Sequence, residues 1–166
     1  MPVINGKTLL AKAPIREMIP HKLKAHGTSY GLVEAGYDIR IKQSITFFPQ
    51  KTLFDYKGPA IDVPSDVEGL RIMQPGRFTL ASAIEEFDMP ADLVGVVHDK
   101  STWARQGLSV FNTVIEPGFK GGLTLELVFH GNKELVIPAG AGIAQVIFSN
   151  LAHDAYYEGK YQNQST

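Results

Sequence analysis

The sequence contains no cysteine. Disulfides, thiolate metal ligands and thiol nucleophiles are therefore excluded. Neither sign of charge is in excess: 16 Lys and Arg face 17 Asp and Glu, for a formal net charge of −1. Without a basic surplus nothing favours a groove that tracks many phosphates, so a nucleic-acid partner is not expected. No apolar run approaches a membrane span, and the N-terminus lacks the apolar core of a secretory signal. The expectation is a cytoplasmic protein without a membrane partner. The five histidines are scattered, His98 and His130 lie far apart, and no metal ligand is assigned. Internal repeats, low-complexity tracts and domain linkers are missing too. With 166 residues and 44% hydrophobic content, one domain spanning 1–166 with a sizeable core is expected.

What the chain has in quantity is turn chemistry, with 16 Gly and 10 Pro between short apolar runs. Residues 1–20 read as a helical segment with Leu9, Leu10, Ile15 and Met18 on one face, interrupted by Pro14 and ended by Pro20. From Ser29 the period changes to two: Tyr37, Ile39 and Ile41 fall on one face, Asp38, Arg40 and Lys42 on the other. Gly31 and Gly36 mark tight turns or close backbone approach. A short strand begins at Thr46. Residues 49–69 read as a surface loop, and Leu70–Met73, the Gln74-Pro75-Gly76 turn and Arg77–Ala83 as a hairpin. Further strands are expected at Ala91–Val97, Gly122–Phe129, Leu135–Ile137 and Ile143–Phe148, and one helical turn at Ser101–Arg105 with Ser101 as its N-cap. Many short strands between Pro-Gly turns make an all-β sandwich or barrel the expected class.

Candidate chemistry concentrates between His98 and Glu126. Lys100, Ser101, Thr102 and Arg105 place two cations and two hydroxyls within one turn, a set suited to an anionic, hydroxyl-bearing ligand. Glu126 follows on a strand where Leu123, Leu125 and Leu127 share one face and Thr124, Glu126 and Val128 the other. By spacing alone Glu126 is either a solvated acid on the outer face or a general acid/base. Arg105 is likewise either a surface cation or a partner for that acid, and the tail from residue 155 either a frayed terminus or a lid.

The order of motifs resembles the dCTP deaminase branch of the trimeric dUTPase superfamily. The resemblance rests on SYGL…AGYDIR at 29–40, MPADLVGVV at 89–97 followed by KSTWARQGL at 100–108, IEPGFKGGLTLEL at 115–127, IPAGAGIAQVIF at 137–148, and GKYQNQ at 159–164. It implies a distorted jelly-roll and a homotrimer with active sites between subunits. It also implies hydrolysis of dCTP to dUTP and ammonia without a catalytic metal. The missing cysteines fit that last point, because zinc-dependent nucleoside deaminases hold their metal through a P-C-x-x-C context.

By the same resemblance Glu126 activates the attacking water, Ser101 orients it, and Arg105 sits beside the carboxylate. A backbone carbonyl near Asn112 completes the water's surroundings. Lys100 and Thr102 resemble phosphate contacts, although the family more often has arginine and serine there. Glu116 stands where the family usually has an aspartate on the sugar 3′-hydroxyl. Tyr157, Lys160, Tyr161 and Gln164 belong to a tail, 155–166, that closes over the triphosphate. Magnesium is expected only as the triphosphate's counter-ion. Tyr37 and Asp38 read as structural, at a subunit contact, and Trp103 as packing. Three alternatives accompany this reading. One is a dUTPase, or a bifunctional enzyme yielding dUMP. Another is a variant accepting dCMP, suggested by a tail shorter than in many relatives. The last is a non-catalytic nucleotide-binding regulator.

Overall fold

The structure, a computed structural model, describes residues 2–48, 60–62 and 78–165. Its N-terminal segment departs from the helix expected over 1–20. A two-residue strand β1 (Val3–Ile4) comes first, and helix α1 (Gly6–Lys12) has only seven residues. Ala13 ends it in a left-handed conformation, φ 46°, with its N–H donated to the Leu9 carbonyl, and Pro14 follows. Leu9 and Ile15 are buried, and Met18 packs partly against the core.

Strands β2 (Lys22–Ala25), β3 (Thr28–Leu32), β4 (Tyr37–Arg40) and β5 (Ser44–Phe47) follow. The alternation in KLKA, Lys22 and Lys24 against Leu23 and Ala25, runs over only four residues and marks β2, an exposed edge strand absent from the sequence expectations. Tyr37, Ile39 and Ile41 are buried as their alternation predicts. Gly31 and Gly36 are close approaches: a Cβ on Gly36 would lie 2.1 Å from the Val146 carbonyl oxygen, and one on Gly31 2.5 Å from that of His21. The loop expected over 49–69 is broken by β6 (Ala60–Asp62); its remainder lies outside the described residues. So do Leu70–Met73, the Gln74–Gly76 turn and Arg77. The expected arm at Arg77–Ala83 belongs to an eleven-residue strand, β7 (Phe78–Asp88).

The remaining elements are β8 (Leu93–Asp99), α2 (Ser101–Ala104), β9 (Leu108–Val110), β10 (Val114–Ile115), β11 (Lys120–Phe129), β12 (Leu135–Ile137) and β13 (Gly142–Asn150). The described strands form three sheets. The largest runs β10-β8-β13-β4-β3-β2, with β1 also on β13; the others are β7-β11-β9 and β12-β5-β6. Every strand pairing among them is antiparallel. Residues of all three sheets meet in one apolar core around Tyr37, Phe47, Phe87 and Phe148. Each such side chain contributes about 1.5–3 kcal/mol by leaving water. The all-β class expected from the sequence is the class observed. Two parts of this frame bear on function: the turn that carries the chain from β10 in one sheet to β11 in another, and the short turn of α2 between β8 and β9.

Candidate active site

The connection from β10 to β11 turns through Glu116-Pro117-Gly118-Phe119, closed by the Phe119 N–H on the Glu116 carbonyl at 3.2 Å. Proline presets the second position, and Gly118 takes the φ of +72° that the third requires. Along β11 the leucines at 123, 125 and 127 face the core, so Thr124 and Glu126 share the opposite face. Glu126 pairs with Leu80 of β7, and its carbonyl accepts the Phe111 N–H at 3.0 Å.

The tail is not frayed. The Tyr157 N–H donates to the Pro117 carbonyl at 2.8 Å, the Asn163 N–H to Lys120 at 2.8 Å, and the Gly122 N–H to Gln164 at 3.0 Å. Side chains add to this: Gln162 Nε2 donates to the Gly118 carbonyl at 2.9 Å and Gln164 Nε2 to that of Gly122 at 2.7 Å. The approach is close enough that a Cβ on Gly121 would lie 2.6 Å from the Gln164 carbonyl oxygen.

Strands β10 and β11 with the turn between them, β7 and the tail enclose a cleft of about 460 Å³, lined by Glu126, Glu116, Thr113, Thr124, Tyr157, Tyr161 and Gln164 among others. Five of the expected site residues thus meet in one place. Tyr157 is fixed edge-on to Phe119, ring centroids 6.0 Å apart. Lys160 sits beyond the rim with its ammonium 4.6 Å from the Tyr161 ring centroid. Glu126 is half-buried, and its Oε2 is buried without a hydrogen-bond partner among the described residues. Burial raises its pKa above the ordinary 4.5, against a smaller lowering by a hydrogen bond from its own backbone amide. Glu116 and Glu126 are the charged side chains lining the cleft. Among the described residues the cleft therefore offers acid/base chemistry but no cation for an anionic ligand. Among the described residues no three His, Cys, Asp or Glu side chains converge as a metal cage.

The other expected residues lie elsewhere. Ser101, Thr102 and Arg105 are exposed on and beside α2 and do not line this cleft. Asn112 is exposed next to the cleft residue Thr113. Ser101 is not the N-cap: Lys100 holds that position, with φ −94° and ψ 131°, and no side chain caps the turn. Lys100 departs from the expectation of a phosphate contact. Its side chain is only 10% exposed, and its ammonium is bound to Asp38 and Ser29. Trp103 is packing, as expected, buried with its Nε1 donating to the Gly142 carbonyl at 2.7 Å. Thr113 and Val114, which with Asn112 form the segment expected to line the base, do line the cleft, and Thr124, expected only to share the Glu126 face of its strand, lines it too. For Thr124 the signal was available, since it stands two residues before Glu126 on the same strand face.

A family model described as dCTP deaminase-like matches residues 9–151. The chain belongs to the dCTP deaminase-like family. Among curated relatives, the dCTP deaminase of Helicobacter pylori strain G27 is 38% identical over 146 residues, covering 82% of this chain and 78% of the relative. That of Campylobacter jejuni strain RM1221 is 39% identical over 145 residues with the same coverage. Among solved structures, native EIAV dUTPase superposes with a TM-score of 0.51 at 16% identity, covering 90% of this chain and 95% of its own. A mutant dUTPase from phage phi11 of S. aureus, described with a structural Mg(II) ion, gives 0.53 at 12% identity, covering 88% and 95%. At such identities the two dUTPases establish the shared fold alone. The dCTP deaminase-like match takes in Ser101, Arg105, Glu116 and Glu126, and stops before the tail residues Tyr157–Gln164.

Proposed function

We propose that this protein hydrolyses dCTP to dUTP and ammonia within pyrimidine deoxynucleotide metabolism, with Glu126 as general acid/base and no catalytic metal. The observation that carries the reading is the half-buried Glu126 carboxyl, its pKa raised and one oxygen unpartnered, in a cleft of nucleoside size. Cytosine C4 is a poor electrophile until N3 is protonated, and water is a poor nucleophile until it loses a proton. One carboxylate serves both needs. Glu126 takes a proton from water as the O–C4 bond forms and delivers it to N3. It then relays the second proton of the added hydroxyl to N4 while the C4–N4 bond breaks. The products are a C4 carbonyl and ammonia, and the carboxylate is restored.

Among the described residues the cleft of one chain holds neither Ser101 nor a guanidinium, which this chemistry uses. Ser101 and Arg105 are exposed on α2, free to meet a neighbouring subunit. A homotrimer in which α2 of one subunit reaches the cleft of the next completes the set. Ser101 then orients the water, with a backbone carbonyl near Asn112, and Arg105 holds the Glu126 carboxylate. Thr102 and Lys160 contact the phosphates, Glu116 the sugar hydroxyl, and Tyr157, Tyr161 and Gln164 close the site. Magnesium accompanies the triphosphate, held by phosphate oxygens and water, as befits a cleft lined, among the described residues, by two carboxylates.

That Glu116 and Glu126 line one cleft also favours a second reading, in which the enzyme is bifunctional and Glu116 supports water attack on phosphorus. Incubation with dCTP, dCMP and dUTP, followed by chromatography of the products, separates these readings. Ammonia with intact dUTP is the expected result, and pyrophosphate with dUMP the bifunctional one. Nucleotide binding without turnover would mark a regulator. Glu126→Gln should bind nucleotide and lose turnover; full activity in that variant overturns the mechanism.

A further inference from the structure

We infer that Asp38 is a positioning residue for the α2 turn and acts through Lys100, which is a buried latch and not a substrate contact. A four-residue helix has no stability of its own. Something must hold Ser101 and Arg105 in place, and two tethers to the largest sheet do so. The first is the Trp103 indole N–H on the Gly142 carbonyl of β13. The second is a charged cluster formed across 62 residues of sequence, in which the Lys100 ammonium binds Asp38 Oδ2 of β4 and, at 3.0 Å, Ser29 Oγ of β3. Ser29 Oγ itself donates to the same Asp38 oxygen at 2.6 Å. Lys100 is 10% exposed and Asp38 2%. An ammonium so buried, with a carboxylate and a hydroxyl at hydrogen-bond distance, is committed to them.

The latch also sits at the right place along the chain. Lys100 precedes Ser101 directly and occupies the N-cap position in extended conformation. Fixing its side chain fixes where the helical turn begins, and hence where Ser101 and, one turn on, Arg105 project. Removing either charge leaves the other buried and unpaired, which is more disruptive than removing both.

The chain's only tryptophan, Trp103, lies inside the turn and reports its docking directly. The test compares Asp38→Asn, Lys100→Met, the double variant and the milder Ser29→Ala, all in the full-length protein. For the single charge variants the latch predicts longer-wavelength Trp103 emission and several-fold stronger acrylamide quenching, with far-UV circular dichroism retained. It also predicts kcat lowered on the order of 10²-fold, by the same factor for dCTP and dCMP, with the ratio of their KM values unchanged. The double variant should be no worse than the worse single one. Unchanged Trp103 quenching, with KM rising as phosphates are added to the substrate, would overturn the inference and return Lys100 to the phosphates. If the charge variants do not fold, Ser29→Ala decides. A smaller shift in the same directions upholds the latch, and no change in Trp103 quenching refutes it. The kinetic arm rests on the proposed deaminase reaction; the fluorescence arm does not, so failure of one is distinguishable from failure of the other.

Discussion

Gly142 joins the sheet to α2, and Gly142→Ala tests how tightly. Its N–H donates to Thr28 Oγ1 at 2.9 Å, and its carbonyl accepts the Trp103 indole at 2.7 Å. A Cβ at this position would lie 1.9 Å from the Ser29 carbonyl oxygen, where side-chain carbons essentially never come within 3.0 Å. Strands β3 and β13 must therefore separate by at least about 1.1 Å at this point, the difference of those two distances. Both buried hydrogen bonds are lost, at about 1–3 kcal/mol each, and the overpacked strands add about 1–3 kcal/mol. The destabilisation should be at least about 3 kcal/mol, or on the order of 10 °C in Tm. Urea unfolding read by circular dichroism, at one fixed protomer concentration, measures it. A loss below about 1 kcal/mol, with Trp103 still shielded from acrylamide, would refute the close approach as the constraint on this turn.

Glu126→Gln should stabilise the fold at neutral pH while removing activity. Burial holds the folded-state proton more tightly than the unfolded one. Below pH 4.5 both states are protonated and nothing is lost; as pH rises through 4.5 towards the raised folded value, the unfolded state releases first and stability declines. The variant's advantage in urea unfolding should thus appear above pH 4.5 and vanish below it; the same difference at all pH values contradicts this. In kcat/KM the acid limb should lie above 4.5, because the carboxylate form takes the water proton; a limb at or below that value contradicts the burial. Thr79 is fully buried with Oγ1 unpartnered among the described residues, so Thr79→Val should stabilise by about 1 kcal/mol. A loss of similar size in thermal unfolding would mean that the hydroxyl has a partner.

Local periodicity made the strand faces legible. The alternation of Tyr37, Ile39 and Ile41, and of the β11 leucines, reports core contact, and it assigned Glu126 to the right face. It could not say that this face is covered, because the cover is β10, β7 and a tail held by backbone bonds to residues some 40 positions earlier. The tail has no apolar period, since Gln162 and Gln164 dock it through polar bonds. The Lys100–Asp38 pair is illegible for the same reason: a side chain's partner 62 residues away leaves no trace in spacing. Ser101 read as an N-cap from its residue type, but the latch on Lys100 sets the start of the turn one residue earlier. Strand β2, an exposed edge held by pairing with β3, alternates Lys22 and Lys24 with Leu23 and Ala25, but over four residues only and with no buried face.

Subunit complementation puts the shared site to the test most directly. Glu126→Gln and Arg105→Ala should each be inactive alone. Mixed in equal amounts, unfolded and reassembled, they should recover about one quarter of wild-type dCTP deamination, because a site drawing its acid and guanidinium from two symmetry-related subunits is intact with that frequency. No recovery in mixed trimers, verified by mass, would contradict the account.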